Sequence, residues 1–508
     1  VNLAIASSLS LILTPYGLLS ILGGVLCGIF VGVMPGLSSV MGMAIMLPVA
    51  LTMSGDYGIL MMLGIFCGAI YGGSITAILI NTPGTANSAA TCLDGHPLAL
   101  KHQAGRAISI STTASTFGGL FSTFMLLWTS PVLCKFALSF SAQESFALAL
   151  FGISIVAGIS SQNIVKGIMG ALIGLLLATI GVDSTTGVYR FTFGTVYLTG
   201  GISNIPVLIG LFAFSQGLIN IEENFKTKRV KVQEKLERIL PSGSDLRRIF
   251  PTLIRSSVIG TIIGAIPGTG GDIAAWVGYN EAKRWSKHPE EFGHGAIDGV
   301  AGPEAANNAI SGGALIPLLS LGIPGDACTA IMLGCLMMLG ITPGPLLMSE
   351  NPEKVYLIIL GMFAANIFMA ICGFGGIKIF TKISSVPEVI LDPLIFVFCF
   401  VGTFAVNHTI GDVYLMIICG ILGYFLIKMD FSVPPIILGM ILGNILEKNF
   451  RRSLVLAGGD WTTFFTRPIS CIFIVLSVLS VFYPFVLPLV KERAARKKAI
   501  KAGGGTNE

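Results

Sequence analysis

Four Pro-Gly pairs stand inside otherwise apolar sequence: Pro35-Gly36, Pro83-Gly84, Pro267-Gly268 and Pro324-Gly325. Proline removes a backbone donor and clashes with the preceding turn, and glycine frees the chain, so a helix should stop at each pair. The residues that follow suit helix N-caps: Ser38 and Ser39, Thr85, Asn87 and Ser88, Thr269, and Asp326 with Thr329. A new helix is expected to start at each break, its free N–H groups and positive dipole end favouring a carboxylate or other anion. The segments ending at Met34, Thr82, Ile266 and Ile323 offer carbonyl oxygens suited to a cation such as sodium. In hydrocarbon, broken backbone is tolerated only where protein or a water-lined cavity satisfies it, so four breaks imply a shared polar cavity.

Acidic residues near these breaks form a second group. Asp326 and Asp272 each lie close behind a break, and Glu304 stands in AGPEAANNA. An ionisable side chain within a membrane is costly and usually functional, so these three are the candidates for cation binding or proton coupling; Asp326 reads equally well as a helix cap. Asp94, in LDGHPLALKHQAGRA, reads as a loop residue, and Lys101, Arg106, Lys283 and Arg284 as members of polar loops. Helix dipoles and hydroxyls, not arginine, are therefore the expected anion ligands. Five histidines and ten scattered cysteines show no metal-ligand spacing and no C-x-x-C pair. Gly264 to Gly271 lacks the Lys-Ser or Lys-Thr that a phosphate-binding loop needs.

The elements that must position these residues are membrane helices. Only 11% of the 508 residues are charged, against about 25% in soluble domains. Runs free of charge span Val1 to Gly55, Tyr57 to Leu93, Ala107 to Cys134, Phe191 to Ile221, Ala305 to Gly325 and Pro468 to Val490. Several exceed the roughly 20 apolar residues that cross a bilayer, and none alternates as a barrel strand would. The opening run reads as a first membrane segment, having no basic n-region or cleavage site. An all-α polytopic membrane protein with roughly 10 to 14 segments, some re-entrant, is expected.

The chain also repeats itself. GIFVGVMPGLSS resembles GTIIGAIPGTGG at an offset of 232, and Gly72-Gly73 match Gly312-Gly313 at 240, while Pro83 and Pro324 differ by 241. A weaker match pairs GLLLATIG with GYFLIKMD at 249. The expected organisation is a first membrane repeat (1–221), a charged connector (222–255), a second repeat (256–467), an extra C-terminal helix (468–490) and a basic tail (491–508). The clusters Lys226 to Arg255 and Lys491 onward place connector and tail on the cytoplasmic side. An even number of crossings between them, less the extra helix, gives an odd and hence inverted repeat, the arrangement of many secondary transporters. Lys448, Arg451 and Arg452 then fall outside, against the charge rule.

GVMPGLSS, AIYGGSITAILINTPGTANSAATCLDGHPLALKHQAGRA, GVDSTTGVYRFTFG and the long block from IPGTGGDIAAWVGYNEAKRW to LLSLGIPGD resemble the large membrane subunit of bacterial tripartite tricarboxylate transporters. The resemblance runs from about Tyr16 to Phe485. It implies a secondary transporter of the inner membrane that imports carboxylates such as citrate, driven by a proton or sodium gradient. It also implies a small membrane subunit and a periplasmic solute-binding protein as partners, with no enzymatic activity, cofactor or nucleic acid.

Carried onto the motifs, the substrate-binding residues are Gly36, Leu37 and Ser38 at the first break and Asn81, Thr82, Pro83, Gly84, Thr85 and Ser88 at the second. Pro267, Gly268, Thr269 and Gly270 serve at the third, and Gly325, Asp326 and Thr329 at the fourth. Asn307 and Asn308 supply amides to the substrate or, equally, to interhelical hydrogen bonds. A passive anion channel built on the same breaks is the competing reading. An intramembrane enzyme lacks a nucleophile–base pair, a metal cluster or an aspartate-rich motif.

Overall fold

The computed structural model describes residues 2–34, 36–159, 164–183, 186–224, 240–383 and 388–482. Pro35, most of the connector (225–239), the end of the last apolar run from 483 and the basic tail lie outside the described residues. The described chain is helical. It begins with α1 (Asn2–Ile12), α2 (Pro15–Val33), α3 (Ser39–Thr52), α4 (Gly55–Ile80), α5 (Ala89–Leu100) and α6 (Ala104–Ala137). Then come α7 (Ala142–Ile159), α8 (Ile164–Ala178) and a two-stranded antiparallel hairpin, β1 (Gly181–Val182) with β2 (Tyr189–Arg190). Next, α9 (Asn204–Leu208) runs through a π-helical stretch, Ile209–Phe214, into α10 (Ser215–Asn224). The remainder is α11 (Gly243–Ala265), α12 (Gly271–Trp285), α13 (Ile297–Leu321), α14 (Ala327–Met338), α15 (Pro352–Ile383), α16 (Glu388–Asn407), α17 (Ile410–Lys428) and α18 (Val433–Leu456). Among the described residues six helices are long and apolar enough to cross a bilayer, and seven shorter apolar helices accompany them.

Contacts divide the chain into two compact units, each drawing on both halves of the sequence. One comprises Val1–Ser139 and Ser203–Lys428, the other Phe140–Ile202 and Met429–Glu508. All four breaks belong to the first. Its centre is formed by α4 and α13, buried along nearly their whole length. Such burial demands small residues where backbones cross, because without a hydrophobic drive membrane helices associate through close packing. Gly28 meets the Ile65 carbonyl, and Gly32 meets the Ala69 carbonyl and Gly72. Equivalently, Gly260 meets the Ala306 carbonyl, and Gly264 meets the Ile310 carbonyl and Gly313.

These crossings correct the register of the repeat. The α2 and α11 glycines keep the offset of 232, but their partners are 241 apart, so Gly72 corresponds to Gly313 and Gly73 to Ala314. Alignment of the double glycines at 240 is one residue out, because the face turned to the crossing helix, not the doublet, decides where a side chain must be absent. The weak third match also shifts. Gly439 of α18 packs on the Ala171 carbonyl and Leu175 amide of α8, and Gly210 packs on the Met416 carbonyl and Gly420 amide of α17. The offsets are 229 and 245 rather than 249. The first half has the longer connection at that point, and it carries the hairpin.

In the second unit, Arg190 on β2 forms a two-pronged pair with Glu447 at 2.7 and 3.2 Å. Arg451 reaches Asp183 at 2.8 Å and Glu447 at 2.7 Å. Arg451 is thus neutralised by the two carboxylates.

Asp94 is not a loop residue. It is a fully buried member of α5 whose Oδ1 accepts the N–H groups of Gly293, Gly295 and Ala296 at 2.7–2.8 Å. Its Oδ2 accepts the Tyr279 hydroxyl at 2.9 Å. A carboxylate from one helix therefore caps the start of another, α13, where free amides and the dipole favour negative charge. Asp94→Ala leaves those amides without an acceptor and is expected to destabilise the fold by at least about 2 kcal/mol. Thermal unfolding in detergent should show a clear drop in midpoint, with Asp94→Asn intermediate.

Arg106 and the pair Lys283 and Arg284 likewise lie in helices, in the first turn of α6 and the last turn of α12, not in loops. Arg106 grips Asp245 through Nε at 3.1 Å and Nη2 at 2.5 Å. That guanidinium, at the polar start of α11, holds the Asp245 carboxyl down at about 2. A carboxyl lowered from its ordinary value of 3.8 stabilises the fold above that value, and the contribution is lost as pH falls from about 4 to about 2. With Arg106 35% exposed, the pair is worth on the order of 1 to 2 kcal/mol after screening by water. Asp245→Asn should flatten the acid limb of the unfolding midpoint between pH 5 and 2.

Candidate functional site

The breaks form as the Pro-Gly pairs dictate. At the first and third, Met34 and Ile266 end their helices with φ of −88° and −89° and the same ψ of 115°, and Gly36 and Gly268 both adopt φ +85°. At the second and fourth, Asn81 and Gly322 end α4 and α13 in the left-handed region, with φ 53° and 73°. Positive φ suits glycine and, among other residues, asparagine.

A closed chain of contacts joins the four. First and second meet where the Gly32 carbonyl and the Gly73 Cα occupy the space beside Gly84, whose N–H donates to the Gly73 carbonyl at 3.2 Å. Third and fourth meet through the Gly268 N–H, which donates to the Gly325 carbonyl at 2.8 Å. First and fourth meet where the Cys328 thiol donates to Ser39 Oγ at 3.5 Å. Second and third meet in front of Gly271, where Asn87 Nδ2 and Asn307 Oδ1 fill the space a side chain would take.

The helix starts are not alike. Ser38 Oγ accepts the Met41 N–H at 3.1 Å and caps α3. Asp326 caps α14 in a reciprocal box: its Oδ1 accepts the Thr329 N–H at 2.8 Å, while Thr329 Oγ1 accepts the Asp326 N–H at 2.9 Å. Ser88 and Gly270, which precede α5 and α12, make no side-chain cap. Thr85 and Ser88 instead share a hydroxyl contact of 3.4 Å, and Thr269 Oγ1 turns back to the Ile266 carbonyl at 2.8 Å and to that of Ile263. The second and third helix starts thus lack a side-chain cap; at the second a 3-10 turn, Ala86–Ser88, leads into α5 and the Ser88 N–H donates to the Thr85 carbonyl at 3.0 Å, and at the third Asp272 Oδ1 lies beside Gly270.

Beside these two uncapped starts, in front of Gly271, lies Asn307. It is fully buried in α13, and neither its Nδ2 nor its Oδ1 has a hydrogen-bond partner. A buried amide left unpaired costs about 1–3 kcal/mol, a burden usually found where a ligand or water completes the site. Its neighbour Asn308 differs: Nδ2 donates to the Glu304 carbonyl at 3.1 Å within the helix.

The other expected residues divide by exposure. Gly36, Asn81, Thr82 and Asp272 are exposed, Ser38, Pro83, Pro267, Gly268 and Gly270 half-buried, and Leu37, Gly84, Thr85, Ser88, Thr269, Gly325, Asp326 and Thr329 buried. Asp326 is engaged as a cap, and Asp272 stands exposed in the first turn of α12. Glu304 is fully buried, its carboxylate accepting the Thr91 hydroxyl at 2.5 Å and the Ser115 hydroxyl at 3.1 Å.

Two participants escaped the reading of the sequence. Asn87 was visible only as a capping residue. Asn220 in α10 donates from Nδ2 to the Gly36 carbonyl at 3.2 Å and accepts the Gln216 amide at 3.0 Å. Its signal is the π-helical stretch just before it, a distortion that concentrates at functional sites, but no sequence pattern announces it.

Residues 18–438 match the tripartite tricarboxylate transporter TctA family. The chain is 38% identical over 481 residues, 95% of each sequence, to an uncharacterized 52.8 kDa protein in the TAR-I ttuC' 3'region of Agrobacterium vitis. It is also 38% identical over 234 residues, 46% of this chain and 96% of the relative, to an uncharacterized protein in the TAR-II ttuC' 3'region of the same organism. No solved structure matches it significantly. A multi-pass helical chain with interrupted helices, matched over most of its length, belongs to the tripartite tricarboxylate transporter TctA family as its large membrane subunit.

Proposed function

We propose that the protein imports carboxylates, tri- or dicarboxylates of the citrate type, across the bacterial inner membrane by ion-gradient-driven symport. A periplasmic solute-binding protein delivers the substrate, and the small subunit of the tripartite system completes the membrane complex. Two inverted repeats build the core, and one part of it moves against the rest to alternate access. The observation that carries this reading is Asn307, an unpaired buried amide beside the two uncapped helix starts. Amide donors and a helix dipole converging on one point are what a carboxylate needs when no arginine is at hand. Here the guanidinium of Arg106 is already committed to Asp245, and that of Arg248 to Asp298 and Glu291.

The test is uptake of radiolabelled citrate, with a panel of other di- and tricarboxylates, into proteoliposomes holding both membrane subunits and supplied with the binding protein. Accumulation above the outside concentration that collapses with an uncoupler or without sodium is expected. Equilibration without accumulation, indifferent to the binding protein, would establish the passive channel instead.

A further inference from the structure

We propose that Glu304 is a proton-binding site that loads and unloads once per transport cycle, so that the driving ion is the proton and its carrier this one carboxylate. The inference rests on the carboxylate-transport reading for its purpose, but not for its chemistry. Glu304 lies at the centre of the first unit, wholly buried. Its two oxygens are met by hydroxyls alone, Thr91 of α5 at 2.5 Å and Ser115 of α6 at 3.1 Å. Ser111 of α6 is the third hydroxyl beside it, hydrogen-bonded in turn to Ser74 at 2.7 Å. Among the described residues no lysine, arginine or histidine pairs with it. The titratable groups that face it are Tyr71 from α4 and Cys92 from α5. Tyr71 shares a hydrogen bond of 2.7 Å with Thr112. On the opposite side, α11 and α12 pack on α13 through Gly260 and Gly278, against Gly302 and Ala306, and bring no charge there.

An unpaired carboxylate in such a place is costly unless it takes up a proton. Hydroxyls suit both states, since each can donate to the carboxylate or accept from the acid. The Thr91 hydroxyl donates directly to the Glu304 carboxyl at 2.5 Å, a spacing typical of a charge-assisted O–H···O bond. Water takes and supplies the proton when movement of α5 opens the pocket. On protonation the new O–H donates to Thr91 Oγ1.

The connection to the substrate site is short. Thr91 lies three residues beyond Ser88, on the helix that starts at the second break, and Asn307 lies three residues beyond Glu304 on the same face of α13. An anion arriving at Asn307 therefore bears on both α5 and the helix holding the acid.

The experiment combines pH-dependent infrared difference spectra of the full chain in lipid with transport by Glu304→Gln. In wild type a protonated carboxylic acid band should titrate, vanish in Glu304→Gln and shift its midpoint in Ser115→Ala. Glu304→Gln, locked in the neutral form, should lose at least ten-fold of pH-gradient-driven citrate accumulation. Three outcomes would overturn the proposal. One is a titrating band unchanged in Glu304→Gln, another is full pH-driven accumulation by that variant, and the third is sodium-driven accumulation that it retains. If wild type neither exchanges nor accumulates any carboxylate, the transport reading fails, while the infrared band still decides whether Glu304 carries a proton.

Discussion

Asn307→Leu is expected to lower carboxylate affinity by about 10- to 100-fold while leaving the ligand-free protein as stable as wild type or more so. A hydrogen bond to a charged group is worth about 1.5–3 kcal/mol, which sets the loss. The stability gain arises because leucine replaces, at similar volume, an amide whose two polar atoms are buried without partners. Opposite signs for binding and stability distinguish a ligand-facing amide from one that merely holds helices together. If Asn307 were an interhelical strut, both quantities would fall. Tryptophan-fluorescence or calorimetric titration with citrate, paired with thermal unfolding of the same preparations, measures the two effects. Asn307→Asp serves as a contrast: it places negative charge where the anion should sit and is expected to abolish binding.

Gly84→Ala and Gly325→Ala are expected to abolish substrate binding and to cost several kcal/mol of stability. In each case the nearest atom to the added carbon would be a backbone carbonyl oxygen. At Gly84 it would face the Gly32 carbonyl and the Gly73 Cα, and at Gly325 the Gly264 carbonyl and the Ala314 Cα. Overpacking that displaces backbone commonly costs about 1–3 kcal/mol, and here it also separates helices whose crossing sets the break. Gly23→Ala in α2 is the control, because nothing lies within 4 Å of the added carbon. It should bind as wild type does. Correct membrane insertion of all three, followed by glycosylation or protease mapping, separates lost binding from lost assembly.

The interruptions themselves could be read from the sequence, since proline and glycine act locally and need no knowledge of the fold. Capping was readable at Ser38 and Asp326 for the same reason. It failed at Thr85 and Thr269, whose hydroxyls turn to partners set by the local turn. Asp94 misled because its hydrogen-bond donors, the amides of Gly293, Gly295 and Ala296, are some 200 residues away in the chain. Asn307 and Asn308 look identical in sequence, and only their positions around α13 decide which amide is spent inside the helix and which is left open. Similarity between the two halves was visible where glycine patterns are dense. Its register needed the crossing geometry, which shows that Gly73 corresponds to Ala314.

Asn220 marks the boundary of sequence reading most clearly. It closes an uncharged run just before the connector and carries no motif, yet it reaches the Gly36 carbonyl at the first break. Contacts between remote segments follow from three-dimensional packing, and a single sequence does not encode them as spacing.

The most direct measurement is a density map of the complex in lipid nanodiscs, recorded with and without saturating citrate. Added density is expected within hydrogen-bond distance of Asn307 Nδ2 and the first amides of α12, and should be lost in Asn307→Leu. Citrate bound elsewhere, with Asn307 and those amides unchanged between the two maps, would contradict this placement of the substrate.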